Sequence, residues 1–273
     1  MLGKMLENVR EKCPLIHNIT NYVTVNDCAN ILLACGGSPI MAEDIEEVCE
    51  ITSICGGLNI NIGTLNGNTI PSMLAAGKKS NELGHPVLLD PVGAGASSLR
   101  TITAKQILKE VKLSIIRGNI SEIKVLSSGS GTSSGVDASA VDTITESNLE
   151  ASVRSIKNFA GATGAVIAVT GAIDIVADEN KAYIIRNGNP MMSRITGTGC
   201  MLSAMTTAYI TANQDNMLEA AAASVCAMGL CGELAFERLD GRDGNSTYRN
   251  YIIDEVYNLT AEKLEKGAKY EIM

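Results

Sequence analysis

Apolar residues along this chain fall into short runs that stop at glycine-rich or polar turns, with helically spaced stretches between them. Ser38 to Met41 is a brief extended piece after Gly36-Gly37. Beyond Asp44, the residues Ile45, Val48, Cys49 and Ile51 recur at helical spacing, with Glu43, Glu46 and Glu47 where a helix dipole favours acids. Leu58 to Ile62 predicts a strand stopping at Gly63-Thr64. Pro86 to Asp90 predicts another, stopping at Pro91-Val92-Gly93-Ala94-Gly95, which continues neither as helix nor as strand. A helix over Ile102 to Val111 precedes a strand over Leu113 to Ile116 and a turn at Arg117-Gly118-Asn119.

The segment Ser127 to Gly135 is rich in Ser and Gly and predicts an exposed loop or flap. A helix over Glu146 to Phe159 leads into a strand over Ala165 to Val169, ending at Thr170-Gly171. Two extended runs, Asp174 to Ala177 and Ala182 to Arg186, flank Asp178-Glu179-Asn180 as a hairpin. After Gly197-Thr198-Gly199-Cys200 the pattern is helical, over about 200–212, 216–236 and 247–267. Strands buried on both faces and alternating with helices predict an α/β fold, with a mainly parallel central sheet flanked by helices on both faces. One domain over residues 1–273 is expected. Ligands of such sheets bind beyond the carboxyl ends of the strands. That rule singles out Met41, residues 61–64, 90–95 and 117–122, and Thr170-Gly171.

Composition narrows the function. Of 273 residues, 45% are apolar and 19% charged, enough for a sizeable core. The net charge of -8 weighs against nucleic acid and anionic membranes as partners, since both attract basic surface. Base-stacking platforms are unexpected with 3% aromatics. The first twelve residues mix charge and apolar residues within every turn, unlike a signal peptide, and no run approaches the ~20 apolar residues of a bilayer span. A cytoplasmic location is expected. None of the eight cysteines forms a C-x-x-C pair, and Cys28, Cys35, Cys49 and Cys55 sit in apolar periodic stretches, as buried thiols would. With only His17 and His85 present, a Cys/His zinc site is not expected.

Two nucleotide fingerprints fail. Gly77-Lys78-Lys79 lacks the upstream glycine of a P-loop, because position 72 is Ser. The dinucleotide pattern breaks at Ser98 after Gly93-Ala94-Gly95, and again over Gly129 to Ser134. A stronger signal is Arg194-Ile195-Thr196-Gly197-Thr198-Gly199-Cys200, small residues leading straight into a helix. Backbone N–H groups at such a helix start, backed by the dipole, suit a phosphate or a developing phosphoryl charge. Asp90 closes a buried strand, and Glu122 lies just beyond the end of another. Two carboxylates at neighbouring strand ends suit Mg²⁺, which prefers oxygen ligands and water. Arg117 suits a bidentate phosphate contact, and Thr170-Gly171 offers a hydroxyl and an N–H to the same nucleotide. Each feature alone has an ordinary explanation, since strand ends carry polar residues for solvation. Together they point to one site.

These residues carry a family resemblance over nearly the whole length. The blocks are Pro14-Leu15-Ile16-His17-Asn18-Ile19-Thr20-Asn21-Tyr22-Val23, Gly37-Ser38-Pro39-Ile40-Met41-Ala42, Leu58-Asn59-Ile60-Asn61-Ile62-Gly63-Thr64-Leu65 and Leu89-Asp90-Pro91-Val92-Gly93-Ala94. They continue in Ile116-Arg117-Gly118-Asn119-Ile120-Ser121-Glu122-Ile123, Val169-Thr170-Gly171 and Thr196-Gly197-Thr198-Gly199-Cys200. In this order they resemble bacterial hydroxyethylthiazole kinases, thiamine-salvage enzymes of the ribokinase-like superfamily. The resemblance implies a three-layer ribokinase-like fold and ATP-dependent phosphorylation of the primary alcohol of 4-methyl-5-(2-hydroxyethyl)thiazole. It further implies Arg117 and Thr170 on ATP, Asp90 and Glu122 around Mg²⁺, and Met41, Gly197 and Asn21 at the thiazole. A homotrimer with the thiazole pocket between subunits is implied as well. The run Glu43 to Glu47 is more acidic than the family pattern, and Ile40 stands in a Val-like place.

Related kinases of the superfamily are similar but place Asp as general base where Cys200 stands. A helix start favours a thiolate, so Cys200 is a candidate weak base. Filling a small space is its ordinary role. His17 reads as a structural hydrogen-bonder, and Met201, Met205, Met217 and Met228 as core or subunit packing. Two other readings compete: a ribokinase-like NAD(P)H-hydrate dehydratase, against which Cys200 and Asn18-Ile19-Thr20-Asn21 count, and a non-catalytic nucleotide-binding protein. The latter would be expected to lack a carboxylate or the glycine turn, and both are present.

Overall fold

Strands and helices alternate along the chain, as the sequence pattern requires. The computed structural model describes residues 1–128 and 143–273. The strands are β1 (Leu15–Ile19), β2 (Ser38–Met41), β3 (Gly57–Asn61), β4 (Val87–Asp90), β5 (Ile115–Gly118), β6 (Val166–Val169), β7 (Asp174–Ala177), β8 (Ala182–Ile185) and β9 (Tyr270–Ile272). The helices are α1 (Leu2–Lys12), α2 (Val25–Cys35), α3 (Val48–Ile54), α4 (Thr69–Leu83), α5 (Ser98–Glu110), α6 (Ile120–Ser127), α7 (Leu149–Thr163), α8 (Thr198–Ala212), α9 (Met217–Glu237), α10 (Asn245–Asn258) and α11 (Ala261–Gly267).

Among the described residues the strands form one sheet in the order β2-β1-β3-β4-β5-β6-β7-β8-β9. From β2 to β6 every pairing is parallel. The pairings of β6 through β9 are antiparallel, so the expected hairpin is β7–β8 and the C-terminal residues add an edge strand. The sheet is buried between two apolar layers. Leu88, Ile115, Val166 and Ala168 join a core with α1, α2, α8, α9 and α10, whereas Leu89, Ile116, Ile167 and Val169 face a second core with α4, α5, α6 and α7. This is the strand period of two at work.

The same period decides where the polar residues go. Asp90 follows Leu88 by two positions and Arg117 follows Ile115 by two, so both lie on the face covered by α8. On β3, Leu58 and Ile60 take the opposite face, which leaves Asn59 and Asn61 toward α8. A polar seam therefore runs under one helix at the carboxyl ends of β3, β4 and β5.

Some boundaries differ from the sequence pattern for local reasons. The helix expected from Asp44 begins only at Val48, because Asp44 Oδ1 accepts the Glu46 N–H (2.9 Å) and holds a turn first. The stretch 247–267 is two helices, since Thr260 caps a new one by accepting the Lys263 N–H (3.1 Å). The strand expected over 113–116 sits at Ile115–Gly118. Cys28, Cys35 and Cys55 are buried, but Cys49 is exposed, on the outer side of α3. The expected loop of 127–135 begins at Ser127, the last residue of α6, and from 129 lies outside the described residues. The segment Gln214–Glu237 has the length and apolarity of a membrane span, yet 78% of its apolar window is buried against the rest of the chain.

Candidate active site

Asp90 is the centre of the polar seam. It is fully buried at the end of β4 and lies opposite Asn61 in the β3–β4 register. Its Oδ2 accepts hydrogen bonds from Asn61 Nδ2 (2.8 Å) and from the hydroxyl of Ser203 on α8 (2.7 Å). Arg117 Nη1 lies 3.7 Å from the same oxygen. The other oxygen, Oδ1, is buried with no partner among the described residues. Burial pushes the carboxyl up to about 6; Arg117 and the bonds from Ser203 and Asn61 hold it down, while the charge of Glu122 adds to the rise.

Glu122 is itself tied to backbone. Its Oε1 accepts the Gly93 N–H (2.8 Å) and its Oε2 the Asn119 N–H (2.8 Å), while Asn119 Oδ1 accepts the Glu122 N–H (2.9 Å). This is a capping box at the start of α6. It joins the loop after β4 to the loop after β5, and each carboxylate oxygen retains a lone pair.

Arg117 ends against the first turn of α8. One guanidinium nitrogen donates to Thr170 Oγ1, just beyond β6. A Cβ built on Gly199 would lie 2.6 Å from Arg117 Nη1, so a side chain there would make the guanidinium shift from its place at the helix start. Gly197 needs glycine twice over, for its φ of +92° and because a Cβ would meet Thr24 Cγ2 at 2.7 Å. The first hydrogen bond of α8 runs from the Met201 N–H to the Gly197 carbonyl (2.8 Å). The N–H groups of Thr198, Gly199 and Cys200 precede it, at the positive end of the dipole.

Cys200 is half-buried, and its sulfur accepts from two amides: Asn21 Nδ2 at 3.2 Å and Asn61 Nδ2 at 3.3 Å. Asn61 Oδ1 accepts from Asn21 Nδ2 (3.0 Å) and from the Gly63 N–H (2.9 Å). Asn21 Oδ1 accepts the Thr24 hydroxyl (3.0 Å). One continuous network therefore links Thr24, Asn21, Asn61, Cys200, Asp90, Ser203, Arg117 and Thr170. It unites Asn21, Asp90, Arg117, Thr170 and Cys200 of the residues singled out from sequence, and Gly199 lies against the guanidinium of Arg117.

Met41 stands apart. It ends the edge strand β2 opposite Asn18, three strand steps and so roughly 14 Å along the sheet from Asp90. His17 is wholly buried, with Nδ1 3.0 Å from the Thr52 hydroxyl and Nε2 2.9 Å from the Ala42 carbonyl; burial lowers its pKa. It holds the loop after Met41. Asn61 lies in a strand-end segment singled out from the sequence, but Ser203, whose partner is 113 residues away, is not marked by it.

A cavity of about 570 Å³ opens beside this network. Arg117, Thr170, Thr198 and Gly199 form one end; Asn187 to Pro190 with Val225, Met228 and Gly229 form the other. One end presents a cation and helix amides, the other the side chains of Val225 and Met228 beside Asn187 and Asn189. An elongated ligand with a phosphate tail and a flat apolar head matches that polarity.

Residues 6–262 match the family model described as the hydroxyethylthiazole kinase family. The chain belongs to this family. It is 69% identical over 271 residues to a hydroxyethylthiazole kinase of Clostridium acetobutylicum, covering 99% of each chain. A solved hydroxyethylthiazole kinase from Pyrococcus horikoshii OT3 is 34% identical and superposes with a TM-score of 0.88, over 100% of this chain and 98% of that one. A ribokinase-like superfamily protein of Enterococcus faecalis, 12% identical over 95% of each chain with a TM-score of 0.64, shares the fold. Membership in a family of kinases makes the chain a phosphotransferase with a small-molecule substrate and ATP as co-substrate.

Proposed function

We propose that the chain, acting as a single kinase domain over residues 1–273, transfers the terminal phosphoryl group of ATP to the hydroxyl of 4-methyl-5-(2-hydroxyethyl)thiazole. The observation that carries this reading is the convergence of Asp90, Arg117 and the α8 turn on one point, through bonds that join four strand ends to one helix. Arg117 and Thr170 hold the nucleotide phosphates. The N–H groups of Thr198, Gly199 and Cys200 receive the charge that builds on the group in flight. Before nucleotide binds, Arg117 is a cation facing the positive end of a helix, an arrangement that an incoming phosphate relieves.

The residues present fit Mg²⁺. Among the described residues, no cluster of three or more His, Cys, Asp or Glu side chains forms a cage, but Mg²⁺ needs only one or two carboxylates beside phosphate oxygens and water. Asp90 Oδ1, buried without a partner, is an orphan that a cation would satisfy. Asp90 and, through the lone pairs left on its oxygens, Glu122 would hold it; the ion would neutralise charge on the phosphates. Asn61 and Ser203 fix Asp90 by its other oxygen.

Asn21 and Gly197 border the alcohol site next to Cys200, and Met41 supplies a thioether surface for the heteroaromatic ring. Its distance from Asp90 within one chain supports a thiazole pocket completed by a neighbouring subunit of a homotrimer. Tyr22 and Val23, exposed beside Asn21, supply apolar surface for that contact. Cys200 lies where the transferred hydroxyl's proton must go. The loose transition state of phosphoryl transfer asks little of a base, so a thiol suffices.

An ATP-consumption assay with hydroxyethylthiazole, hydroxymethylpyrimidine and pyridoxal tests the reading. Turnover is expected with the thiazole and is abolished by chelating the divalent cation. Absence of thiazole-dependent turnover contradicts it.

A further inference from the structure

The nucleotide cavity holds one acidic side chain among its described lining residues, Asp174. A carboxylate is a poor neighbour for phosphates, so its position along the cavity matters. Strands β5, β6, β7 and β8 lie side by side, about 4.8 Å apart per step. Arg117 lies one residue before the end of β5, Thr170 follows β6, Asp174 opens β7 and Asn187 lies two residues past β8, and all four line the cavity. Crossing the sheet from the phosphate end thus meets Arg117, Thr170, Asp174 and then Asn187. Asp174 stands two steps from Arg117, roughly 10 Å. That is the middle of an extended nucleoside triphosphate, where the sugar lies.

The chemistry of the side chain agrees with the place. Asp174 Oδ1 accepts the Gly171 N–H (2.8 Å), which closes the turn after β6; its side chain accepts no other hydrogen bond among the described residues. The second oxygen is left for a donor. Asp174 is half-buried, and burial pushes its carboxyl up to about 7 against the Gly171 bond and the charge of Arg117. Arg186 does not fill the role, being bridged to Glu146 and Glu271.

We propose that Asp174 accepts a hydrogen bond from a ribose hydroxyl of the nucleoside triphosphate and makes the site select ribonucleotides over deoxyribonucleotides. This rests on the kinase reading above. The test compares ATP, 2′-deoxy-ATP and 3′-deoxy-ATP, by KM at fixed hydroxyethylthiazole and by calorimetric Kd without the thiazole. A hydrogen bond to a charged group is expected to favour ATP over at least one analogue by ~10-fold or more. Asp174→Ala brings that ratio close to one. Asp174→Asn, which keeps an oxygen for the Gly171 N–H, lowers the ratio at least ~3-fold, because a neutral group bonds less strongly than a charged one.

Equal binding of all three nucleotides by the wild-type chain overturns the proposal. So does an Asp174→Ala chain that weakens all three by the same factor, which would leave Asp174 only its turn. If that variant does not fold, an unchanged ratio in Asp174→Asn overturns it. Turnover with ATP but no discrimination defeats the role of Asp174 alone, whereas no thiazole-dependent turnover with ATP defeats the kinase reading.

Discussion

Gly199 lies against a guanidinium, and the consequence is measurable. In Gly199→Ala the new methyl would sit 2.6 Å from Arg117 Nη1, so the guanidinium has to shift and its bond to Thr170 is disturbed. Losing one charge-assisted phosphate contact raises the KM for ATP by ~10- to 100-fold, read in steady-state kinetics at saturating thiazole. An unchanged KM would place the phosphates elsewhere. Cys200 allows the opposite kind of substitution. An aspartate there can accept from the same two amides, Asn21 and Asn61, that now meet the sulfur. Cys200→Asp is expected to keep or raise kcat, and Cys200→Ala to lose less than the ~100-fold that a strong general base is worth. A folded but inactive Cys200→Asp chain would assign the thiol a role of its own.

At the scale of elements, the capping box of α6 ties two site loops together. Asn119→Ala removes the side-chain half of it, for a loss of about 1 kcal/mol. In a chain of this size that lowers Tm by ~2–4 °C, measured by calorimetry; no change would mean that the cap does not bear on stability. Elements also explain what the sequence pattern could reveal. Asp90, Arg117 and Thr170 were legible because each terminates an apolar run, and Gly197 to Cys200 because small residues lead into a helix. Asn61 was legible as a strand-end residue, but Ser203 and Asp174 were not, since their roles depend on strand register and on a helix 113 residues beyond Asp90. The split at Thr260 was hidden because apolar spacing continues across it, and only the cap interrupts the backbone. Cys49 shows the limit of periodicity, which fixes a side chain's angle around the helix but not whether a neighbour covers that angle.

For the whole molecule, the proposed reaction centre lies on the parallel half of the sheet, and the cavity proposed for the nucleotide extends from it along the antiparallel half. At the proposed alcohol end, Met41 lies on the edge strand and Tyr22 is 78% exposed beside Asn21. Light scattering is expected to give three times the chain mass of 28.7 kDa. A monomer turning over the thiazole at full rate would contradict a shared pocket. The most direct test of the whole account is a crystal structure with a non-hydrolysable ATP analogue and the thiazole alcohol. The account predicts the terminal phosphorus at the N–H groups of residues 198–200, with Arg117 on its oxygens and the hydroxyl oxygen roughly 3–3.5 Å away, beside Cys200. A terminal phosphate bound away from the start of α8, out of reach of both Arg117 and Asp90, would contradict it.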